Sequence, residues 1–291
     1  MQVSEVVQRG GGSGSWLGPV ESLSRNGTGP AATVKVPAPG SFILSVLGDS
    51  WMGNVRFDHS PNLQYEIRPY AEGFPHLFTL SLIDVSARYD FGEGVGDSLS
   101  GHRLLRGLDE SAERRGRRVG RRLSASGGYR PDSDDILDVG VLWTPEAQSS
   151  AGGAAGMANL VNLAIDESNA ILKNSEVSLR VRLASGRAVA DSAYVEPNED
   201  AFPTMFWNLV EQDDGVFDVD TGRRYTDGVD VTVLLVDDGS YCGVGGQLSE
   251  SNYDGRHAYA VVARGCATGF YSFLHEIGHV VGANHDFSDG W

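Results

Sequence analysis

The chain is 291 residues long and has 39 acidic against 23 basic side chains, which gives a net charge of −16. A surface this acidic argues against nucleic acid or an anionic membrane as a partner. No apolar run approaches the length of a membrane span. The composition therefore predicts an acidic soluble protein of one or two domains, which we expect to act as a monomer.

The first 110 residues divide into two parts of different composition. Residues 1–30 are rich in Gly and Ser, which predicts a flexible segment, and their first 16 positions lack the apolar h-region of a secretory signal. From residue 31 to about 110, β-forming runs broken by Gly, Pro and Asn predict a small antiparallel β-rich region. Its candidate strands are 33–36, 42–47, 53–57, 64–70 and 76–83.

A basic island follows, with six arginines in the nine positions from Arg114 to Arg122. Like charges repel and nothing apolar is available to bury, so residues 111–130 are predicted to be a solvated linker. Arg115 to Arg118 also fit the R-x-R-R pattern that furin-like proteases cut, which makes the linker a candidate processing site. A nucleic-acid or nuclear-localisation patch is a further interpretation, but it fits poorly with the strong net acidity.

Residues 131–291 alternate strand-like and helix-like patterns, which predicts an α/β (α+β) domain with a twisted sheet backed by helices. Apolar residues recur at helical spacing over 157–172, and a continuous apolar run over 229–236 is typical of a buried strand. The other predicted elements are strands at 135–143, 177–183 and 257–262 and a short helix at 202–210.

The most informative pattern is H-E-x-x-H-x-x-G-x-x-H, which begins at His275. His275 and His279 are four residues apart, so both imidazoles would project from one face of a helix. Glu276 could reach a metal-bound water without being a ligand. Gly282 would let the chain leave the helix through a left-handed turn, which brings back His285 as a third nitrogen. Three imidazoles and one open position are typical of a catalytic zinc site.

The alternative interpretation of this motif is an amphipathic core helix whose histidines are satisfied by their neighbours. The long form of the motif argues against it, because it fixes five positions rather than three. The remaining histidines are isolated in the sequence, and we expect structural or surface roles for them: His59, His76, His102 and His257.

The motif resembles the zinc-binding consensus of the metzincin metallopeptidases, and His285-Asp286 resembles their adamalysin/reprolysin-like branch. Residues 135–147 and 229–237 are similar to the first and third sheet strands of secreted members, including the peptidyl-Asp metalloendopeptidases. The resemblance covers roughly residues 131–291. It implies a metzincin-like catalytic domain with a mixed sheet and an active-site helix. Residues 62–69 also resemble a strand that recurs in the prodomains of metzincin-like secreted enzymes, which makes residues 31–110 a prodomain-like region.

The resemblance also implies a function, a zinc-dependent endopeptidase of the secreted, zymogen type. In it His275, His279 and His285 hold Zn²⁺, and Glu276 acts as general base and then acid. The Gly-rich stretch 241–248 would be the edge strand that binds a peptide or protein substrate in extended form; a plain loop is equally compatible with its composition. Two other functions stay open, a catalytically silent metzincin-like protein and a structural zinc site.

Three further expectations depend on this resemblance. Metzincins carry a Met-turn after the third histidine, and none of the four methionines follows His285, so the chain is expected to be truncated. Asp286 is expected either to orient the loop that carries His285 or to form a hydrogen bond to one of the metal ligands. Cys242 and Cys266 are expected to form a disulfide, as in an exported protein, with two buried free thiols as the alternative.

Overall fold

The structure is a computed structural model. It describes residues 5–9, 13–23, 36–47, 50–58, 63–69, 78–84, 136–198, 201–247, 255, 257–283 and 285. The predicted linker at 111–130 lies outside these residues. No helix in the described ranges is long and apolar enough to cross a membrane.

The first sheet is a six-stranded antiparallel meander in which each strand pairs with the next along the chain. This confirms the prediction of an antiparallel β-rich region. Side chains alternate between the two faces of the sheet, and on one face Phe42, Val55 and Phe57 form a small cluster. The strands are β1 Glu5–Arg9, β2 Ser13–Leu23, β3 Val36–Leu47, β4 Ser50–Phe57, β5 Leu63–Pro69 and β6 Phe78–Asp84.

The prediction that residues 1–30 are flexible is wrong for 5–9 and 13–23, which form β1 and β2. Trp16 pairs with Leu44 of β3, and Leu17 pairs with Ile43. Both side chains pack against buried apolar clusters. A few apolar residues among Gly and Ser are therefore enough to form a strand when a neighbouring strand, here β3, supplies the hydrogen-bond partners.

The second sheet has five strands in the order β10-β11-β9-β7-β8. The pairs β11–β9, β9–β7 and β7–β8 are parallel, whereas β10 runs antiparallel to β11 at one edge. The sheet is thus mixed, as predicted. Its strands are β7 Ile136–Trp143, β8 Arg180–Ala188, β9 Val231–Val236, β10 Gly243–Gly245 and β11 Tyr259–Ala263.

Helices cover both faces of this mixed sheet. On one face the helices Gly153–Asn174 and Ser272–Val280 bury Leu160, Phe273 and Ile277 against the strands, and on the other face the helix Ala201–Val210 buries Phe202 and Phe206. The fully buried strand β9 lies between the two cores, as a continuous apolar run predicts. The helices are α1 Pro145–Ser150, α2 Gly153–Asn174, α3 Ala201–Val210, α4 Asp218–Gly222, α5 Arg224–Asp227 and α6 Ser272–Val280.

The six-stranded sheet packs against α2, and the two share a core. Ile43 of β3 and Met52 of β4 belong to the same buried cluster as the apolar face of α2. Polar contacts accompany this packing: the Nδ2 of Asn159 donates to the carbonyl oxygen of Ser50 at 2.9 Å. The Nδ2 of Asn54 donates to Oε1 of Glu167 at 3.0 Å. The N-terminal sheet is therefore joined to the domain that carries the histidine motif.

Glu167 is 6% exposed and lies at this interface. Burial raises the pKa of its carboxyl group to about 7, against the opposing effects of hydrogen bonds from Gly269 and Asn54 and of the positive charges of Arg68 and Arg56. The glutamic acid therefore holds its proton in the folded protein at pH values where it has lost the proton in the unfolded chain.

This raised pKa predicts a stability that falls as the pH rises. Between pH 4.5 and about 7 the folded state binds one more proton than the unfolded state at Glu167, so the free energy of unfolding decreases across that range. We expect a loss of up to about 3 kcal/mol from this group. Gln at position 167 does not titrate. The free energy of unfolding, measured by denaturant unfolding at pH 5 and at pH 8, should therefore decrease less in Glu167→Gln than in the parent. An equal decrease in the parent and the variant would contradict the assignment.

Candidate metal centre

Helix α6 begins after a segment, residues 267–271, that leads from the turn following β11. Two residues of that segment have left-handed backbone, Gly269 with φ 77° and Tyr271 with φ 65°. Phe273, Ile277 and Val280 bury one side of the helix in the core. The opposite side of the helix carries His275, which is exposed.

The structure brings the three motif histidines together at the C-terminal end of α6. The Nε2 atoms of His275 and His279 are 3.0 Å apart, and each lies 3.1 Å from the Nε2 of His285. Gly282 adopts a φ of 98°, and the N–H of Ala283 donates to the carbonyl oxygen of Gly278 at 2.8 Å. This glycine-based end of the helix turns the chain back, as the sequence predicts.

The hydrogen bonding of His279 fits a metal ligand. Its Nδ1 lies 2.9 Å from the carbonyl oxygen of Ala283, and because a carbonyl only accepts, Nδ1 must donate. The neutral ring then has its lone pair on Nε2, which points at the other two imidazoles. A backbone carbonyl that orients the ligating histidine in this way is typical of metal sites.

The donor set fits a zinc ion. Zn–N distances of about 2.0–2.1 Å in a tetrahedral site separate two ligand nitrogens by roughly 3.3 Å, close to the 3.0–3.1 Å between these three atoms. Within the described residues, the three histidines are the one group of His, Cys, Asp and Glu side chains so placed. Three nitrogens leave one tetrahedral position for water or substrate.

Glu276 is 1% exposed and lies beneath the edge strand β10. A Cβ added at Gly243 would come within 2.6 Å of its Oε1, and one added at Gly245 would lie 3.2 Å from its Oε2. The second position is also only 3.1 Å from the Cβ of His279. Glycines at 243 and 245 therefore make room for the carboxylate beside the histidines. The glycine-rich stretch is visible in the sequence. The reason that glycine is needed there is not, because the contact joins β10 to Glu276, which is far away in the chain.

The predicted disulfide between Cys242 and Cys266 is present, with a Cα–Cα distance of 5.3 Å. Cys242 immediately precedes β10, and Cys266 immediately precedes segment 267–271. The bond therefore joins the start of the edge strand β10 to the chain that leads into α6.

The structure places one of the other four histidines. His257 lies with its ring edge-on to Trp207, with 6.1 Å between the ring centroids, and is separate from the metal-ligand cluster. His59, His76, His102 and Asp286 lie outside the described residues.

Sequence analysis did not identify Glu167, which accepts a hydrogen bond from the N–H of Gly269 at 2.8 Å. A single Glu in a helix carries no local signal that it is buried.

Comparison with known proteins gives consistent matches. Residues 157–286 match the family model described as metallo-peptidase family M12B, reprolysin-like. A peptidyl-Asp metalloendopeptidase of Stenotrophomonas maltophilia (strain R551-3) is 29% identical over 286 residues, 98% of this chain and 61% of the relative. A peptidyl-Asp metalloendopeptidase of Xanthomonas campestris pv. campestris is 30% identical over 276 residues, 95% of this chain and 58% of the relative.

The chain thus spans about three fifths of the length of the curated relatives it matches. Among solved structures, the crystal structure of metalloproteinase-II from Bacteroides fragilis aligns with 97% of this chain and 81% of its own, at a TM-score of 0.43 and 12% identity.

Proposed function

We propose that the chain, whose residues 157–286 match the reprolysin-like metallopeptidase family M12B, is a zinc-dependent endopeptidase whose zinc is held by His275, His279 and His285. The observation that carries the proposal is the convergence of three Nε2 atoms within 3.1 Å of one another beside a buried carboxylate. A closed structural site would need a fourth protein ligand, and none is present in the described part of the chain. This favours the catalytic use over the structural one.

A zinc ion bound there would acidify a water molecule and polarise the carbonyl of the scissile bond. Glu276 is the base for that water: its carboxylate takes a proton as the water attacks and then gives the proton to the leaving amine. The buried position of Glu276 serves this role, because a carboxylate shielded from bulk solvent interacts more strongly with the charges that develop next to it. The carbonyl oxygen of Ala283 orients the imidazole ring of His279.

We assign β10 as the strand along which the substrate binds. It ends the order of the mixed sheet and pairs with β11 on one side, so its outer edge could add a peptide as one more strand. A peptide in that position would lie one strand spacing, about 4.8 Å, from β10, whose Gly243 and Gly245 face the side chain of Glu276. The name of the relatives, peptidyl-Asp metalloendopeptidase, supports bonds next to aspartate as the first candidates for cleavage.

The disulfide supports an exported protein, since such bonds persist mainly in oxidising compartments. We propose two folding regions, the N-terminal sheet of strands β1 to β6 and residues 131–291, with 111–130 between them as the candidate processing segment. A processing event there would be read by terminal sequencing of the exported protein.

The function is tested by metal removal. We expect the full-length gene product to cleave an unfolded protein, to lose that activity after chelation and to regain it when one equivalent of zinc is added. Cleavage products identified by mass spectrometry would give the preferred bonds. Zinc binding without any cleavage would favour the silent alternative, and cleavage that persists in excess chelator would contradict a metallopeptidase mechanism.

A further inference from the structure

The segment 267–271, which leads into the metal-binding helix, adopts a backbone that needs support from outside itself. Tyr271 has a φ of 65°, a left-handed conformation that is unfavourable for a residue with a side chain. Gly269 is also left-handed, at 77°. Since α6 starts at the next residue, Ser272, the geometry of this segment sets where His275 and His279 lie.

Arg56 of strand β4 contacts this segment directly. Its guanidinium donates to the carbonyl oxygen of Gly269 and lies over the ring of Tyr271, 4.2 Å from the centroid. Its Nε donates to Oε1 of Gln64 on the neighbouring strand at 3.0 Å, which fixes the orientation of the guanidinium. One side chain of the N-terminal sheet thus holds both left-handed residues.

Two further contacts act on the same segment. The N–H of Gly269 donates to Oε2 of Glu167, whose Oε1 accepts from Asn54 of β4 at 3.0 Å. The guanidinium of Arg68, on β5, donates to Oγ1 of Thr268 at 2.9 Å. Both backbone polar groups of Gly269 are therefore bound by a network that the N-terminal sheet completes.

These contacts act on the segment that precedes α6 and involve none of the three histidines. In the described part of the chain the N-terminal sheet packs against α2 and segment 267–271, while His275 and His285 are exposed with the sheet in place. From this we infer that the N-terminal sheet is a positioning element for the metal centre, acting through Arg56 on Gly269 and Tyr271, and does not cover the histidines. The inference rests on the proposed metal site.

The consequence is a dependence of metal affinity on a residue that touches no ligand. Without the Arg56 guanidinium, the segment can relax toward ordinary backbone angles, and the start of α6 moves or frays. Loss of an outer contact that orients metal ligands typically lowers metal affinity by about 10–100-fold, and we expect about tenfold for Arg56→Met. The amides of α6 should also exchange faster with solvent, because the helix is less firmly anchored.

The test compares Arg56→Met with Arg182→Met in the full chain. Arg182 is a matched control, since it forms an ion pair with Asp138 between β7 and β8, away from segment 267–271. Zinc affinity is measured by competition with a chromogenic chelator, and hydrogen exchange of residues 272–281 is measured in the metal-free protein. We expect weaker zinc binding and faster exchange for Arg56→Met and parent-like values for Arg182→Met.

Equal losses in both variants would mean general destabilisation and would overturn the inference, as would parent-like values in both. Should Arg56→Met not fold, Arg56→Lys keeps the charge near Tyr271 but loses the pairing with Gln64, and an intermediate effect on both readouts is then expected; parent-like values would count against the inference. Failure of the parent to bind zinc would refute the proposed function alone. The exchange measurement needs no metal, so it decides the positioning role of Arg56 separately.

Discussion

Replacing His279 with Ala is expected to abolish stoichiometric zinc binding. The imidazole is 3% exposed, and its Nε2 lies within 3.1 Å of the Nε2 atoms of both His275 and His285. Removing one of three ligands leaves two, and we expect affinity to fall by more than about 100-fold, beyond what the loss of an outer contact causes. Metal analysis of the purified variant should find zinc well below one ion per chain.

His257→Ala is the matched control for this substitution. It also removes an imidazole that packs against an aromatic ring, but it lies outside the cluster. Its zinc content should equal that of the parent. Unchanged zinc in His279→Ala would refute the ligand assignment, and loss of zinc in both variants would point to unfolding, which circular dichroism of the same samples detects.

Apolar runs and helical periodicity in the sequence predicted the elements whose structure depends on neighbouring residues. The continuous apolar run over 229–236 became the buried strand β9, and the helical periodicity over 157–172 became the centre of α2. The prediction for residues 1–30 was wrong for β1 and β2 because composition was weighed above pairing. The register of Leu17 opposite Ile43 depends on a partner 26 positions away in the chain, which local patterns do not contain.

In the candidate site, too, the features set by local spacing could be predicted and the contacts between distant residues could not. The spacing of the three histidines and Gly282 lies within eleven residues, so helix geometry alone predicts that they converge. The approach of Gly243 to Glu276 and that of Arg56 to Gly269 join residues that are far apart in sequence. Predicting such contacts requires the sheet order, which places β10 at an edge beside α6.

Glu276→Gln is expected to keep the zinc and lose most of the activity. Glu276 is not part of the cluster of metal-binding nitrogens, and Gln has nearly the same shape, so the metal content should match that of the parent. An amide cannot accept the proton of the attacking water, and the loss of a positioned base typically costs about 10²–10⁴-fold in rate. The measurement is kcat for cleavage of an unfolded protein by the full-length gene product, with zinc content determined on the same preparation.

A second substitution tests the same role through geometry and leaves the carboxylate in place. In Gly243→Ala the new Cβ would come within 2.6 Å of Oε1 of Glu276, so the carboxylate must shift, and we expect kcat to fall by roughly tenfold or more with zinc retained. Gly239→Ala is the control, because a Cβ there meets nothing within 4 Å. If Glu276→Gln is as active as the parent, Glu276 is not the base. If Gly243→Ala alone is fully active, the carboxylate tolerates displacement, and β10 does not fix its position.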